Sequence, residues 1–197
     1  DVLKALGDVA GALKSYEAAI DIARKLTAAD ADNSDWMRDL SVSHNKVGDA
    51  LLAKGDFTAA QKSYEDGLAI VQKLSGKEPG NSIWKRDVSV SLNRVGDARR
   101  AQSDFAGALE SFRSSLAIVV PLSESDPQNT EWLRDVSITQ YNIGDVLVSL
   151  GDNPSAYKGF EAGITIAKKL VELGPDNGDW QRDLSISYNR IGDLRLA

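Results

Sequence analysis

The sequence predicts an all-α repeat protein in which one unit of 48 residues recurs along the chain. The four tryptophans, Trp36, Trp84, Trp132 and Trp180, lie 48 residues apart, and a fixed period of about 20–50 residues is typical of repeat architectures. Apolar residues within each unit follow the spacing of amphipathic helices, and no segment alternates with a period of two. We therefore expect one stack of similar helical units.

The first helix of each unit, helix A, has clear start and stop signals. Asn33 lies three residues before Trp36, and Asp35 places an acid where the helix N-terminus is positively polarised. Gly55 is a typical helix terminator. The equivalent asparagines of the other units are Asn81, Asn129 and Asn177, and the apolar stripe of the first full unit is Trp36, Leu40, Val47 and Leu51.

The second helix, helix B, is predicted to begin after Asp56, with equivalent caps at Asp8, Asp104 and Asp152. Its apolar stripe is Phe57, Ala60, Tyr64, Leu68, Val71 and Leu74. Pro121 lies in the last turns of one B helix, where it predicts a kink or an early end near Val120. Pro154 lies at the start of another and should be tolerated there.

The centre of each unit is a glycine, a Gly-Asp pair (Ser103-Asp104 in one copy), an alanine and an aromatic residue. In the first full copy these are Gly48, Gly55-Asp56, Ala60 and Tyr64. This pattern resembles the tetratricopeptide repeat (TPR), a helix–turn–helix unit of about 34 residues. The period here is about 14 residues longer than the TPR unit, so we expect helices of about 18–21 residues, as in long-helix bacterial multi-repeat variants.

The resemblance implies a right-handed superhelical α-solenoid of antiparallel helix pairs. We expect one repeat array over residues 1–197. It would consist of a partial repeat 1–30, repeats 31–78, 79–126 and 127–174, and a partial repeat 175–197.

The composition argues against several classes of function. The chain has no cysteine, one histidine and a formal net charge of −6, so we expect no metal site, no cofactor, no catalytic residues and no nucleic-acid partner. No apolar run approaches the roughly 20 residues that span a bilayer, so we expect no membrane partner. His44 shares its position with Leu92, Gln140 and Tyr188, and this variety predicts partial exposure. A cytoplasmic location is compatible with the absence of cysteine.

A Trp-x-Arg-Asp group, first seen at Trp36, Arg38 and Asp39, recurs in every unit. It is either a binding motif or part of the contact between repeats, with the tryptophan packed at the boundary and the charges paired across it. Four identical copies favour the contact between repeats. Recurring serines and glycines, such as Ser41 and Gly48, predict close helix packing. Other charges suggest pairs three residues apart, Lys46–Asp49, Arg94–Asp97 and Arg190–Asp193.

The resemblance also implies a concave groove, lined by the A helices, that accepts a peptide or a partner helix. Tyr141 departs from the asparagine found at its position in other units. Aspartates at one groove position, and Val42, Val90, Ile138 and Ile186 at another, argue against a clamp for a C-terminal carboxylate. The groove residues are Asn45, Lys46, Asp49, Leu52, Asn93, Arg94, Asp97, Arg100, Tyr141, Asn142, Asp145, Val148, Asn189, Arg190, Asp193 and Leu196.

These observations favour a non-enzymatic protein–protein interaction scaffold that binds an unidentified protein or peptide. One alternative is head-to-tail self-association, in which the helix at 180–197 docks on helix B near Val9–Leu26 of the next molecule. Another is a regulatory or sensor repeat region of a larger signalling protein. Enzymatic activity would require chemistry outside this sequence.

Overall fold

The computed structural model describes residues 7–196, and this part of the chain forms eight α-helices with no strand. The predicted all-α fold is therefore confirmed, and the helices have the expected length of 19–21 residues. Residues 1–6 of the predicted partial repeat 1–30 lie outside the described residues. The helices are α1 (Val9–Ala29), α2 (Ser34–Lys54), α3 (Phe57–Lys77), α4 (Ser82–Ala101), α5 (Phe105–Ser125), α6 (Thr130–Ser149), α7 (Asn153–Leu173) and α8 (Gly178–Leu196).

The predicted caps begin these helices. The Asn33 side chain accepts a hydrogen bond from the Trp36 amide at 3.1 Å, and the same bond forms at Asn129 and Asn177. Asp56 accepts from the Ala59 amide at 3.2 Å. Each cap satisfies an amide that the helix itself leaves without a partner. Even-numbered helices are therefore A helices and odd-numbered helices are B helices.

The chain divides into two compact halves, Asp1–Asp104 and Phe105–Ala197. From here on we call them the first and second unit, and we call each 48-residue repeat a copy. Within the described residues of each unit, consecutive helices pack antiparallel to one another. The core of the first unit includes Tyr64, Val95 and a cluster around Trp84. The core of the second unit includes Phe112 and Phe160. The expectation of one continuous array over residues 1–197 stays a prediction.

Helix α5 differs from its neighbours in being unusually apolar. Among residues 7–196 it is the one helix whose length and hydropathy would allow it to cross a membrane. Core helices of soluble proteins satisfy the same criterion, and Ala108 and Phe112 of α5 are completely buried in the core of the second unit. The expectation that the chain has no membrane partner stays a prediction.

Pro121 does not end helix α5, which continues to Ser125. The prediction of an early end near Val120 is therefore wrong. The hydroxyls of Ser123 and Ser125 donate to the carbonyls of Val120 and Leu122 at 2.8 and 2.7 Å, and Leu122 is buried. These contacts hold the last turn of the helix after the proline. Pro154 lies in the first turn of α7, as predicted.

The A and B helices of a pair touch where an aromatic ring covers a glycine, an arrangement that we call the ring-on-glycine contact. A Cβ atom added to Gly48 would lie 2.3 Å from the Tyr64 ring, and one added to Gly144 would lie 2.5 Å from the Phe160 ring. Because no real side chain fits at these distances, glycine is required at both positions. The predicted role of these glycines is confirmed.

We expect Gly48→Ala and Gly144→Ala to lower the free energy of unfolding by about 1–3 kcal/mol, because the added methyl must displace a buried ring. Gly76 is the control, since nothing lies within 4 Å of its position. Gly76→Ala should stabilise the helix by up to about 1 kcal/mol. Urea denaturation measures the free energy of unfolding of the three variants. An equal change in all three would show that the ring-on-glycine contact does not require glycine.

The turn between helices A and B requires a left-handed residue. Gly7, Gly55 and Gly151 have φ of 78°, 86° and 79°, whereas Ser103 takes the same position with φ of 63°. It is the one residue other than glycine with positive φ in the part of the chain that the structure describes. The Cβ of serine makes this conformation costly.

We expect Ser103→Gly to raise the free energy of unfolding by about 1 kcal/mol, because relief of the left-handed strain exceeds the added entropy of the unfolded chain. The reverse change, Gly55→Ser, should lower it by a similar amount. Urea denaturation of both variants measures the change: at an unchanged m-value, the midpoint should rise for Ser103→Gly and fall for Gly55→Ser. A destabilising Ser103→Gly would show that the serine side chain compensates for its strain.

Candidate functional site

An arginine–aspartate pair connects consecutive A helices within each unit. Arg38 Nε of α2 donates to Asp87 Oδ2 of α4 at 2.7 Å, and the Arg38 guanidinium lies 5.9 Å from the Trp84 ring centroid. In the second unit, Arg134 pairs with Asp183 at 2.9 Å. We call this pair the outer clasp. The prediction that the Trp-x-Arg-Asp charges pair between repeats is confirmed at both places.

A second pair lies further along the same two A helices, and we call it the inner clasp. Arg94 of α4 bonds to Asp49 of α2, and the Tyr64 hydroxyl donates to Asp49 Oδ1 at 2.8 Å. Burial, together with Asp49, raises the pKa of Tyr64, so the phenol remains a donor.

The predicted Arg94–Asp97 pairing is wrong, because Arg94 reaches the aspartate of the preceding repeat. Asp97 pairs with Arg100 at 2.9 Å instead. Burial raises the pKa of Asp97, and the Arg100 guanidinium opposes this shift. The predicted Arg190–Asp193 pair is present at 4.0 Å.

The inner clasp of the second unit is built differently. Arg190 Nε lies 3.1 Å from Asp145 Oδ1 and donates to the Tyr141 hydroxyl at 3.0 Å. Phe160, at the position of Tyr64, has no hydroxyl, and its ring lies 5.8 Å from the Tyr141 ring. Tyr141 therefore supplies from helix A the phenol that helix B lacks.

An apolar strip lies between the two clasps. Val42 is 46% exposed and Ile138 is 37% exposed. In the first unit, Val42 and Val90 line a pocket of about 130 Å³ together with Asn45 and Lys46. The outer clasp and Arg94 of the inner clasp border the same pocket. The site is thus a small apolar patch between pairs of opposite charge.

Three of the eight groove residues predicted in the first unit, Asn45, Lys46 and Arg94, line this pocket, and their role in binding stays a prediction. Leu52 packs against the core instead. Asn93 is half-buried. Asp49, Arg94, Asp97 and Arg100 are engaged in ion pairs.

The predicted groove residues of the second unit differ widely in exposure. Asn142 is only 7% exposed, so it faces the helix packing and is not presented at a surface. Val148 is 41% exposed, and Asn189 is exposed. Tyr141, Asp145 and Arg190 belong to the inner clasp. Sequence reasoning missed this cross-repeat pairing, although aspartate–arginine separations of 45 residues recur.

The recurring serines hold helix A to helix B. Ser41 Oγ donates to the Gly67 carbonyl at 2.9 Å, and Ser137 Oγ donates to the Gly163 carbonyl at 3.0 Å. Both serines are buried. Within residues 7–196 no group of three or more His, Asp or Glu side chains is arranged to hold a metal ion.

His44 is only 6% exposed, so the prediction of partial exposure is wrong. Helix α3 covers it, and Ser63 Oγ donates to its carbonyl at 2.8 Å. Tyr188, at the same position in α8, is 48% exposed. Exposure at this position therefore depends on the covering B helix. Burial lowers the pKa of His44, opposed by Asp66 and assisted by Arg24 and Lys62.

Since folding depresses the His44 pKa, the unfolded chain binds the proton more readily. The stability that neutral His44 contributes is complete above its ordinary pKa of about 6.5 and is lost as pH falls through the lowered value. We expect His44→Leu, the residue at position 92, to reduce the loss of unfolding free energy between about pH 7.5 and about pH 5.5. Urea titrations of the wild type and the variant at both pH values measure this loss of unfolding free energy. An equal loss in the two proteins would show that His44 does not contribute to the pH dependence.

Comparison with known proteins agrees with this architecture. No family model and no curated protein matches the sequence. The structure resembles crystal structures of BtubC (BKLC) from P. vanneervenii and of a kinesin light chain from Podospora anserina with nearly identical TPR-like repeats. The first has a TM-score of 0.60 and 14% identity, covering 95% of this chain and 74% of that one. The second has a TM-score of 0.61 and 14% identity, covering 99% and 92%. The chain has a TPR-like fold of repeated helix pairs.

Proposed function

We propose that the chain is a protein–protein interaction scaffold whose A helices bind a peptide or helix. The observation that carries the proposal is the apolar strip between the clasps. Val42 and Ile138 are large apolar side chains left exposed at equivalent positions of two units. Complete burial of such a side chain contributes about 1.5–3 kcal/mol, and covering the 46% of Val42 or the 37% of Ile138 that is exposed contributes a corresponding part of this. Each is therefore suited to contact one apolar side chain of a partner.

The charges at this surface restrict the partner. Arg38 is neutralised by Asp87, and Arg94 by Asp49, so the pocket does not present a strong field of one sign. A highly charged partner would have to compete with these internal pairs. A segment with apolar anchors and hydrogen-bonding groups fits better, and an amphipathic helix or an extended peptide has this chemistry.

We further propose that this scaffold is non-enzymatic. Its single histidine is buried under helix α3 and carries a lowered pKa. The repeated serines donate to backbone carbonyls, whereas a serine nucleophile requires a neighbouring base. The polar groups with the most regular arrangement are thus used to hold helices together.

The test uses peptides selected on the immobilised chain from a random displayed library. We expect Val42→Lys and Ile138→Lys to weaken the selected peptides at least about tenfold, because a charged group replaces an apolar anchor and tenfold corresponds to about 1.4 kcal/mol. Titration calorimetry measures the dissociation constants of both variants.

Leu150→Lys is the matched control. Leu150 is 48% exposed. The equivalent residue of the first full copy is Lys54, so a lysine at this position is compatible with the fold. It should leave peptide affinity unchanged. If every selected peptide binds the groove variants and the wild type equally, the groove proposal is wrong.

A further inference from the structure

The asparagine that caps α8 is followed by a different kind of residue from the other asparagine caps. Asn33 and Asn81 precede serine and Asn129 precedes threonine, whereas Asn177 precedes Gly178. This is the one asparagine–glycine step in the sequence. Such steps are prone to spontaneous deamidation, because glycine has no side chain to hinder the attack of its own amide nitrogen on the preceding carboxamide.

The surroundings of Gly178 leave the attacking nitrogen unhindered. Gly178 is exposed, and a Cβ atom added to it would meet nothing within 4 Å. It is the first residue of α8, and the first amides of a helix have no carbonyl partner within that helix. Neither crowding nor a helical hydrogen bond therefore protects this amide.

The Asn177 side chain lies where a developing negative charge is stabilised. Its Oδ1 accepts hydrogen bonds from the Asp179 and Trp180 amides at 3.1 and 3.2 Å. Attack on the carboxamide carbon places negative charge on this same oxygen. Two amides at the positive end of a helix are an arrangement that stabilises such an oxyanion. The hydrogen bonds that cap α8 thus also favour the intermediate of this reaction.

We propose that the Asn177–Gly178 step is a site of spontaneous deamidation. The Gly178 nitrogen bonds to Asn177 Cγ, and the bond between Cγ and Nδ2 breaks. Nδ2 leaves as ammonia, together with the proton that the Gly178 amide has given up. Water then opens the cyclic imide at one of its two carbonyl carbons, which gives aspartate or isoaspartate at position 177.

The two products have different effects on α8. Aspartate keeps the side-chain acceptor and adds negative charge at the helix N-terminus, so it still caps α8. Isoaspartate adds a methylene group to the main chain and moves the carboxylate to the α-carbon, so the cap is lost. Helix α8 supplies Asp183 to the outer clasp and Arg190 to the inner clasp. Isoaspartate therefore weakens both clasps of the second unit.

The test is incubation of the full chain at mildly alkaline pH, followed by peptide mapping with mass spectrometry. Replacement of the side-chain amino group by a hydroxyl raises the mass of the peptide that contains Asn177. We expect Asn177 to convert at least about tenfold faster than Asn81, which corresponds to about 1.4 kcal/mol of activation free energy. Asn81 is the internal control, because its Oδ1 also accepts from two amides, at 3.0 and 3.4 Å, but serine follows it.

Two reciprocal variants separate the effect of the glycine from that of the cap. Gly178→Ser gives Asn177 the same following residue as Asn81 and should slow its conversion to the rate of Asn81. Ser82→Gly should make Asn81 convert as well. A wild type in which Asn177 converts no faster than Asn81 overturns the proposal, and so does equal conversion of Asn177 in Gly178→Ser and the wild type. Circular dichroism establishes that each variant is folded.

Discussion

The ring-on-glycine contact is the constraint on which the rest of the structure depends. Because Gly48 and Gly144 lack a Cβ atom, an aromatic ring of helix B can lie directly on helix A. This close approach brings Ser41 and Ser137 within hydrogen-bonding distance of the carbonyls of Gly67 and Gly163. Glycine weakens a helix in isolation, so the packing of the pair must compensate for it.

The contact also determines which charged groups of the A helices are paired. With Tyr64 fixed on Gly48, its hydroxyl holds Asp49 for Arg94 of the next repeat. In the second unit the phenol lies on Tyr141 and accepts from Arg190 instead, while Phe160 supplies a plain ring. The clasp position is thus occupied in both units by one arginine, one aspartate and one phenol. Most of the charged side chains around the apolar strip are thus paired within the protein, which is consistent with the proposed use of the strip for recognition.

Much of the fold could be predicted from the sequence, because caps, helical spacing and the 48-residue period are local or repeated signals. Asn33, Gly55 and Asp56 were sufficient to place the helix boundaries. Contacts between repeats were harder to predict. Arg94 has acidic residues at comparable reach in its own helix and in the preceding repeat, and only the packed structure decides between them. Exposure at His44 depends on a neighbouring helix. The helix continues past Pro121 because the buried Leu122 and two serine hydroxyls that donate to backbone carbonyls hold its last turn.

The exchange between Tyr141 and Phe160 has a consequence for how such a chain can evolve. Both residues lie in the same 48-residue copy, so a duplication or deletion of that copy carries the phenol and the plain ring together. A substitution at only one of the two would leave the clasp with either two hydroxyls or none. The arginine of the clasp comes from the next copy, however, and the position of Arg190 is held by Asn142 in this one. A tandem duplication of residues 127–174 would therefore keep the phenol with the plain ring but place an asparagine where Asp145 now has an arginine.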